Sequence, residues 1–328
     1  MKRSILILMA FFMILSSCGV DRAGEREEHT EDLIVVGVSQ VGAESDWRVA
    51  NSESIKAVFT EENGYRLLFD DARQIQENQI TAVRKFIQQK VDYIVILPLS
   101  ESGWDAVLQE AHDAGIPVIL VDRTADIKNK NLYVAHIGSD FYKQGEMAVN
   151  WMEEKYGNTD EVIDIVHITG TEGSTAQIGR SSALENAVDR HDNWNIIAKM
   201  DGDFTQAKTF EAMNEYLDQL PEGQDIDIVY CENDNEAFGA IEVLENRGYA
   251  CGEDVDIICF DATKKALRMC KNGKIAIAVE CNPLLGPAVE KVIQTLEKGQ
   301  VPDREIYVKE RAFTKETLSE YIIAERQY

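Results

Sequence analysis

The stretch IQENQITAVRKFIQQKVDYIVIL, residues 75–97, decides the fold class, because a helical pattern in it leads directly into an apolar run. Ile80, Val83, Phe86 and Ile87 recur at helical spacing, which predicts a helix over residues 75–89 with one buried face. The apolar run that follows predicts a buried strand over residues 93–97. A helix joined to a buried strand in this way favours a parallel sheet covered by helices, so the class is α/β.

The same alternation of β-branched runs and helical segments extends over most of the chain in two series. The first series of predicted strands covers residues 34–38, 66–69, 93–97, 118–121 and 133–137. The second series covers residues 162–167, 196–200, 226–230, 256–260 and 275–279. Ten strands in two successive series are more naturally two doubly wound lobes than one large sheet. The sequence therefore predicts a protein of two lobes.

The N-terminus has the features of a secretory signal, which we expect to span residues 1–17. Lys2 and Arg3 precede an apolar run over residues 5–15 that is too short to cross a bilayer as a helix of about 20 residues. The tetrad Leu15-Ser16-Ser17-Cys18 resembles a bacterial lipobox, which implies that Cys18 is lipidated; the alternative is an ordinary buried or free cysteine. Residues 18–32 are then a lipidated cysteine followed by a charged, flexible tether.

Composition excludes several classes of function. Removing residues 1–17 from the 328 leaves 311, enough for about two domains, and the net charge of −25 becomes −27 without Lys2 and Arg3. This charge disfavours binding to nucleic acid. Five cysteines remain after Cys18, an odd number that implies no disulfide framework, and the five histidines lack the spacing of a zinc site. No nucleotide-binding P-loop occurs, so we do not expect the chain to hydrolyse nucleotide. We also expect neither a metal nor a cofactor.

Polar and aromatic residues follow the predicted strands, and in an open parallel sheet ligands bind beyond the carboxyl ends of strands. A sugar needs hydrogen-bonding partners for its hydroxyls and flat apolar surface for its ring, and this set supplies both. The candidate ligand-binding residues are Gln40, Glu44, Trp47, Arg48, Asp122, Arg123, Arg180, Phe204, Asn233, Asp261 and Glu280.

Each candidate also has an ordinary structural interpretation. Asp122 and Arg123 could form an ion pair between lobes or in a loop, and Trp47 and Phe204 could belong to the core. Arg180 lies in a predicted helix that opens at Ser174, where a capping hydroxyl is common, and Asn233 could cap the next helix. The position of these residues after buried strands favours a role in ligand binding over a purely structural role. A residue that caps a helix can also contact a ligand.

Several short segments, in order along nearly the whole mature chain, resemble the bacterial periplasmic sugar-binding family of the ribose and galactofuranose type, especially its galactofuranose-binding branch. The matching residues are Val38-Ser39-Gln40-Val41-Gly42, Glu44-Ser45, Trp47-Arg48, Gln76-Glu77-Asn78-Gln79-Ile80, Ala82-Val83-Arg84, Asp122-Arg123, Gly202-Asp203-Phe204-Thr205 and Asn233-Asp234. The resemblance implies a periplasmic-binding-protein-like type I fold, in which two doubly wound parallel-sheet lobes are joined by three crossovers. We expect these crossovers near residues 137–138, 280–281 and 307–312.

The resemblance also implies how the lobes and the site are divided. Lobe one comprises residues 33–137 with 281–309, and lobe two comprises residues 138–280 with 310–328. Trp47 is implied to pack on the ligand; Arg48, Asp122 and Arg123 are implied to bind it from lobe one, and Arg180, Asn233 and Asp261 from lobe two. Phe204 and Glu280 are implied secondary contacts. Three positions depart from the family pattern: Ala262 stands where glycine is usual, Asp46 replaces a small residue, and Glu44 adds a carboxylate.

By this resemblance the chain is expected to be an extracytoplasmic, membrane-anchored lipoprotein that binds a monosaccharide related to galactofuranose by closure of its lobes. Its expected partners are the permease and ATPase of an ABC-type sugar importer, and we expect a monomer that is not an enzyme. Two alternatives stay open. One is a sensory protein that delivers the ligand to a membrane kinase or chemoreceptor, and the other is a glycoside-processing enzyme that uses two cavity carboxylates.

Overall fold

The computed structural model describes residues 33–328. The predicted signal peptide over residues 1–17, the tether over residues 18–32 and the lipidation site Cys18 lie outside the described residues. Within residues 33–328, no helix is both long and apolar enough to cross a membrane.

Helices and strands alternate through most of the described chain. The ten helices are α1 (Asp46–Val58), α2 (Gln76–Gln89), α3 (Asp105–Asp113), α4 (Phe141–Tyr156), α5 (Thr175–Val188), α6 (Gln206–Gln219), α7 (Asp234–Asn246), α8 (Lys264–Lys271), α9 (Gly286–Glu297) and α10 (Glu320–Glu325) within residues 33–328. The twelve strands of the same region are β1 (Ile34–Gln40), β2 (Tyr65–Asp71), β3 (Tyr93–Ile96), β4 (Val118–Val121), β5 (Ala135–Gly138), β6 (Ile163–Thr169), β7 (Trp194–Asp201), β8 (Ile228–Cys231), β9 (Asp256–Asp261), β10 (Ile277–Glu280), β11 (Glu305–Tyr307) and β12 (Ala312–Phe313).

The strands form two six-stranded sheets with matching strand order. The first sheet runs β11-β5-β4-β3-β1-β2 and the second runs β12-β10-β9-β8-β6-β7. Every pairing is parallel except that of β10 with β12, where Ala278 lies opposite Phe313. In both sheets the order reverses beside the first strand of the series, which is the doubly wound topology. The predicted α/β class with two such lobes is confirmed.

All ten predicted strands overlap observed ones, and the predicted helix over residues 75–89 is α2. The two strands that the sequence analysis missed are β11 and β12, which contain three and two residues. Each of these two strands is an edge strand of its sheet.

The chain passes between the two sheets three times. It leaves the first sheet after β5 and enters α4, which packs against α5 and β10 of the second lobe. It returns after β10 to α9, which packs against α1, and it crosses again between β11 and β12. The three crossovers therefore lie side by side between the lobes.

Both faces of each sheet are buried. In β3, Ile94 and Ile96 pack into one cluster while Tyr93 and Val95 pack into another on the opposite face. A strand covered on both faces has no polar side, which explains the continuous apolar run in this part of the sequence. Each large apolar side chain contributes about 1.5–3 kcal/mol to the stability of the fold when it is fully buried. These apolar layers therefore hold the strand ends in place.

Candidate functional site

A cavity lies where the carboxyl ends of strands from both sheets come together. The space between its lining atoms, including its opening to solvent, is about 290 Å³. The lining residues are Glu44, Ser45, Trp47, Arg48, Asp122, Arg123, Phe141, Ala176, Arg180, Phe204, Asn233, Asp261 and Cys281. Both lobes and one crossover contribute to this wall.

A buried chain of charges forms the lobe-one side of the cavity. The Arg48 Nε donates to Glu44 Oε1 at 2.9 Å, and its Nη1 donates to Asp122 Oδ2 at 2.8 Å. The Ser45 hydroxyl accepts from the Arg48 backbone N–H and caps α1, which fixes the first turn of the helix and hence the Arg48 side chain. Burial opposes ionisation of Glu44, but Arg48 and Arg123 outweigh it and lower the pKa of this carboxyl.

Arg123 is the second cation of this side and reaches across to lobe two. Its Nη1 donates to the Leu99 carbonyl at 3.1 Å, and its guanidinium lies 5.2 Å from the ring centre of Phe204. Burial, followed by repulsion from Arg48, lowers the pKa of Arg123 to about 10. Its Nε is buried without a hydrogen-bond partner, and so is Glu44 Oε2. A buried donor and a buried acceptor thus lack partners within the protein.

Arg180 is the cation of lobe two and is fixed on three sides. Its Nε and Nη2 donate to Gln144 Oε1 at 3.0 and 2.8 Å, and its Nη1 donates to the Glu232 carbonyl. The Nη2 lies 3.8 Å from Asp261 Oδ1, and the guanidinium lies 4.7 Å from the ring centre of Phe260. This side chain has little freedom to rotate, so its position is set before any ligand arrives.

Asn233 serves both a helix and the cavity. It caps α7 in a capping box with Glu236, and its Nδ2 donates to the Phe204 carbonyl at 3.0 Å. The Phe204 backbone N–H in turn donates to Glu236 Oε1 at 2.9 Å. The sequence suggested that Asn233 either caps a helix or contacts a ligand. In the structure Asn233 caps α7 and also lines the cavity.

Asp261 faces the same space from the end of β9. Burial raises the pKa of this carboxyl well above its ordinary value, even though Arg180 opposes the shift. The carboxyl lies beside the Arg180 guanidinium, whose Nη2 is 3.8 Å from Asp261 Oδ1, and it offers hydrogen-bonding oxygens to the cavity.

Left-handed backbone conformations occur where strands end at the cavity. Asp122 has a φ of 64°, Phe204 of 59°, Asp261 of 101° and Ala262 of 56°. Such conformations are uncommon for residues other than glycine and are strained, so the surrounding structure must hold them.

Aromatic surface covers the remaining walls. Trp47, Phe141, Phe204, Ala176 and Cys281 form one apolar cluster. The Trp47 Nε1 donates to the Cys281 carbonyl at 2.8 Å, which fixes the indole against the second crossover. Flat apolar faces and hydrogen-bonding groups therefore meet in one small space.

The two lobes touch directly around this cavity. The Asp46 N–H donates to Asn235 Oδ1 at 3.1 Å and the Thr124 N–H donates to Thr175 Oγ1 at 3.1 Å. The Glu101 N–H also donates to the Gly173 carbonyl, at 2.9 Å. These bonds join lobe one to lobe two, so the structure describes a closed arrangement of the lobes.

Nine of the eleven candidate residues line the cavity, and two do not. Gln40 is buried behind it, where its Nε2 donates to Asn51 and Ser52 at 3.0 Å and its Oε1 accepts from the Val41 N–H. Glu280 Oε1 accepts from Arg326 Nη1 at 2.5 Å and from the Tyr328 hydroxyl. The side chains of these two candidates are occupied by the protein itself.

The sequence analysis missed four lining residues, Ser45, Phe141, Ala176 and Cys281. Ser45 follows the first strand closely and could have been found as a helix cap before Asp46. Phe141 and Cys281 lie next to crossovers, so their place in the wall depends on how the lobes meet. Within the described residues, no cluster of three or more His, Cys, Asp or Glu side chains could hold a metal ion.

Comparison with known proteins gives a consistent result. A family described as periplasmic binding protein domain matches residues 36–299. The galactofuranose-binding protein YtfQ of Escherichia coli (strain K12) is 33% identical over 288 residues, which are 88% of this chain and 90% of that protein.

Two solved structures are similar over nearly the whole length. One, from Mycobacterium smegmatis in complex with β-D-fucofuranose, is 38% identical with a TM-score of 0.85 and covers 90% of this chain and 95% of its own. The other is the binding component of the arabinose ABC transporter from Shewanella sp. ANA-3, bound to α- and β-L-arabinofuranose. It is 36% identical with a TM-score of 0.83 and covers 89% of this chain and 95% of its own.

The Glu44 carboxylate gives a pH-dependent prediction. Its pKa is lowered in the folded protein from the ordinary value of 4.5, so its contribution to stability is complete above that pH and is lost as pH falls through the folded pKa. In urea unfolding, Glu44→Gln should lower the free energy of unfolding by about 1.5–3 kcal/mol at neutral pH. The gap between wild type and variant should narrow towards pH values of about 3. If the difference in the free energy of unfolding between wild type and variant stays constant or widens at acidic pH, the lowered pKa of Glu44 is contradicted.

Proposed function

Because the chain belongs to the periplasmic binding protein family, we propose that it is an extracytoplasmic protein that captures a furanose monosaccharide for an ABC-type importer. The cavity supports this proposal most directly, since it joins ionised hydrogen-bonding groups to aromatic faces between two lobes. The relatives named above bind galactofuranose, fucofuranose and arabinofuranose.

Three arginines and the carboxylates beside them supply the hydrogen bonds that sugar hydroxyls need. Charge-assisted hydrogen bonds are the strong ones, and the Arg48 fork is already oriented by Glu44 and Asp122. Trp47 and Phe204 offer faces for the C–H side of a ring. Ligand discrimination would then come from which hydroxyls meet the fixed donors and acceptors.

Closure of the lobes would provide the signal for import. Arg180, Asn233 and Asp261 belong to lobe two, whereas Trp47, Arg48 and Arg123 belong to lobe one, so the ligand gains both sets of contacts only when the lobes close. The permease would recognise the closed pair of lobes, and its ATPase would supply the energy. The description of the similar Shewanella protein as a component of an ABC transporter supports import over delivery to a sensor kinase.

The cavity geometry gives less support to a glycoside-processing enzyme. Such enzymes require two carboxyl groups on either side of the bond, one of which donates a proton. Glu44 and Asp122 are instead joined to the same Arg48, so both are committed to one cation. The similar proteins named above are described as binding proteins, which agrees with a site that holds its ligand unchanged.

A thermal-shift screen tests the proposed function. L-arabinose, D-fucose, D-galactose, D-ribose and D-fructose, which have furanose forms in solution, are compared with methyl pyranosides that cannot change ring form. A ligand that binds only the folded state raises the melting temperature. We expect a rise with one or more of the free sugars and none with the locked pyranosides. Absence of a shift with every sugar, checked by calorimetry, would reject furanose binding.

Replacement of Arg123 tests whether the cavity is the binding site. Arg123→Ala should weaken binding of the sugar found in the screen by about 100-fold, because it removes charge-assisted hydrogen bonds. Arg84→Ala is the matched control, since Arg84 lies in the same lobe, is paired with Glu110 at the surface and does not line the cavity. Calorimetric titration gives both affinities. Equal affinities for the two variants would remove Arg123 from the site.

Lipidation of Cys18 is the part of the proposal that concerns the N-terminus. Cys18→Ala should move the protein from the membrane fraction to the soluble fraction of expressing cells, because the lipid would be its anchor. Cys281→Ala, which leaves the N-terminus intact, is the control and should stay with the membrane. Membrane retention of the Cys18 variant would reject the anchor.

A further inference from the structure

One half-buried carboxylate connects the three crossovers. Glu310 lies in the third crossover, between β11 and β12. Its Oε1 accepts from the Ser139 hydroxyl of the first crossover at 2.6 Å and from the Asn282 backbone N–H of the second at 3.0 Å. All three connections between the lobes therefore meet at one oxygen atom.

The other oxygen of Glu310 leads to the cavity. Its Oε2 accepts from Gln144 Nε2 at 2.7 Å, and Gln144 Oε1 accepts from Arg180 at 2.8 and 3.0 Å. Gln144 is 1% exposed and Arg180 is 2% exposed, so the bonds between these two side chains are shielded from water, whereas Glu310 is half-buried. The path from the crossovers to the Arg180 guanidinium thus contains one intervening side chain.

The chemistry of the three groups fixes the direction of every bond. A guanidinium can only donate, and an ionised carboxylate can only accept. Gln144 has one amide oxygen and one amide nitrogen, so it satisfies both neighbours in a single orientation. Burial raises the pKa of Glu310, while the donors Ser139, Gln144 and Asn282 oppose that shift.

We propose that Glu310, acting through Gln144, is the positioning residue that holds Arg180 at the cavity and ties its position to the arrangement of the three crossovers. This inference rests on the proposed function and deepens it, because it identifies residues away from the ligand that set its affinity. Glu310 does not line the cavity, so its effect on a ligand passes through Arg180.

Exchange of the two side chains provides the test. In Glu310→Gln the new amide nitrogen faces Gln144 Nε2, and in Gln144→Glu two carboxylates face each other. The double variant Gln144→Glu with Glu310→Gln restores a donor opposite an acceptor at each step. Each single variant should weaken sugar binding about tenfold or more, mainly through faster dissociation, and the double variant should recover most of the loss.

Asp256→Asn is the matched control, since Asp256 is a buried carboxylate of the second lobe that accepts from Tyr156 and Lys155 away from the cavity. It should leave sugar affinity unchanged, whatever its effect on the melting temperature. Single variants that bind like wild type, or a double variant that is no better than the weaker single one, would overturn the inference.

A measurement without sugar separates this inference from the proposed function. The Nε–H of Arg180, assigned in an NMR spectrum by comparison with Arg180→Lys, should be protected from solvent exchange in wild type and exchange faster in Glu310→Gln. Unchanged protection would reject the positioning role even if the wild type binds a sugar. Loss of protection in a protein that binds none of the tested sugars would support the positioning role and reject the proposed function alone.

Discussion

The structure depends on charge compensation inside a space that both lobes shield from water. Arg48, Arg123 and Arg180 are each at most 3% exposed, so every guanidinium must find its partners within the protein or from a ligand. A buried ion without partners costs several kcal/mol, whereas a buried pair with good hydrogen bonds can be neutral. Glu44 and Asp122 compensate Arg48 directly, and Gln144 with the Glu232 carbonyl holds Arg180. This requirement explains why the site is rigid and why so few of its polar atoms lack partners.

The backbone contributes to the same arrangement. At Asp122, which follows β4, and at Asp261, the last residue of β9, the chain turns into a left-handed conformation, and both residues line the cavity. Ala262 has the same conformation at a position where the resemblance leads one to expect glycine. The strain at this alanine is held by its burial and by the Thr263 N–H, which donates to Asp234 Oδ2 at 2.7 Å. The shape of the cavity therefore depends on strained backbone conformations at the strand ends, which contacts with the surrounding residues stabilise.

The sequence predicted the sheets well because their strands are continuous apolar runs separated by amphipathic helices. It missed β11 and β12, whose few residues alternate too briefly to give a periodic pattern. The side chains at strand ends were harder to place, because the position of a residue along the chain does not determine whether its side chain points into the cavity or towards another part of the protein. Glu280 is the last residue of β10, but it pairs with Arg326, a distant residue that no local pattern links to it. Phe141 joins the wall only because α4 begins at a crossover, a fact of tertiary structure.

The helix N-termini and the loops before them help to explain what kind of ligand fits the cavity. In parallel α/β lobes the helices begin near the carboxyl ends of strands, and their free N–H groups attract negative charge. Here capping side chains of the protein already accept from such groups at the N-termini of α1, α5, α6 and α7, and acids accept from N–H groups in the loops before the helices. Glu236 accepts from the N–H groups of Phe204 and Asn233, and Glu232 accepts from that of Gly170. An anionic ligand would therefore meet helix ends whose N–H groups already have partners, and carboxylates that repel it. A neutral molecule with several hydroxyls can use the same acids as acceptors and the arginines as donors, which is the balance that this cavity presents.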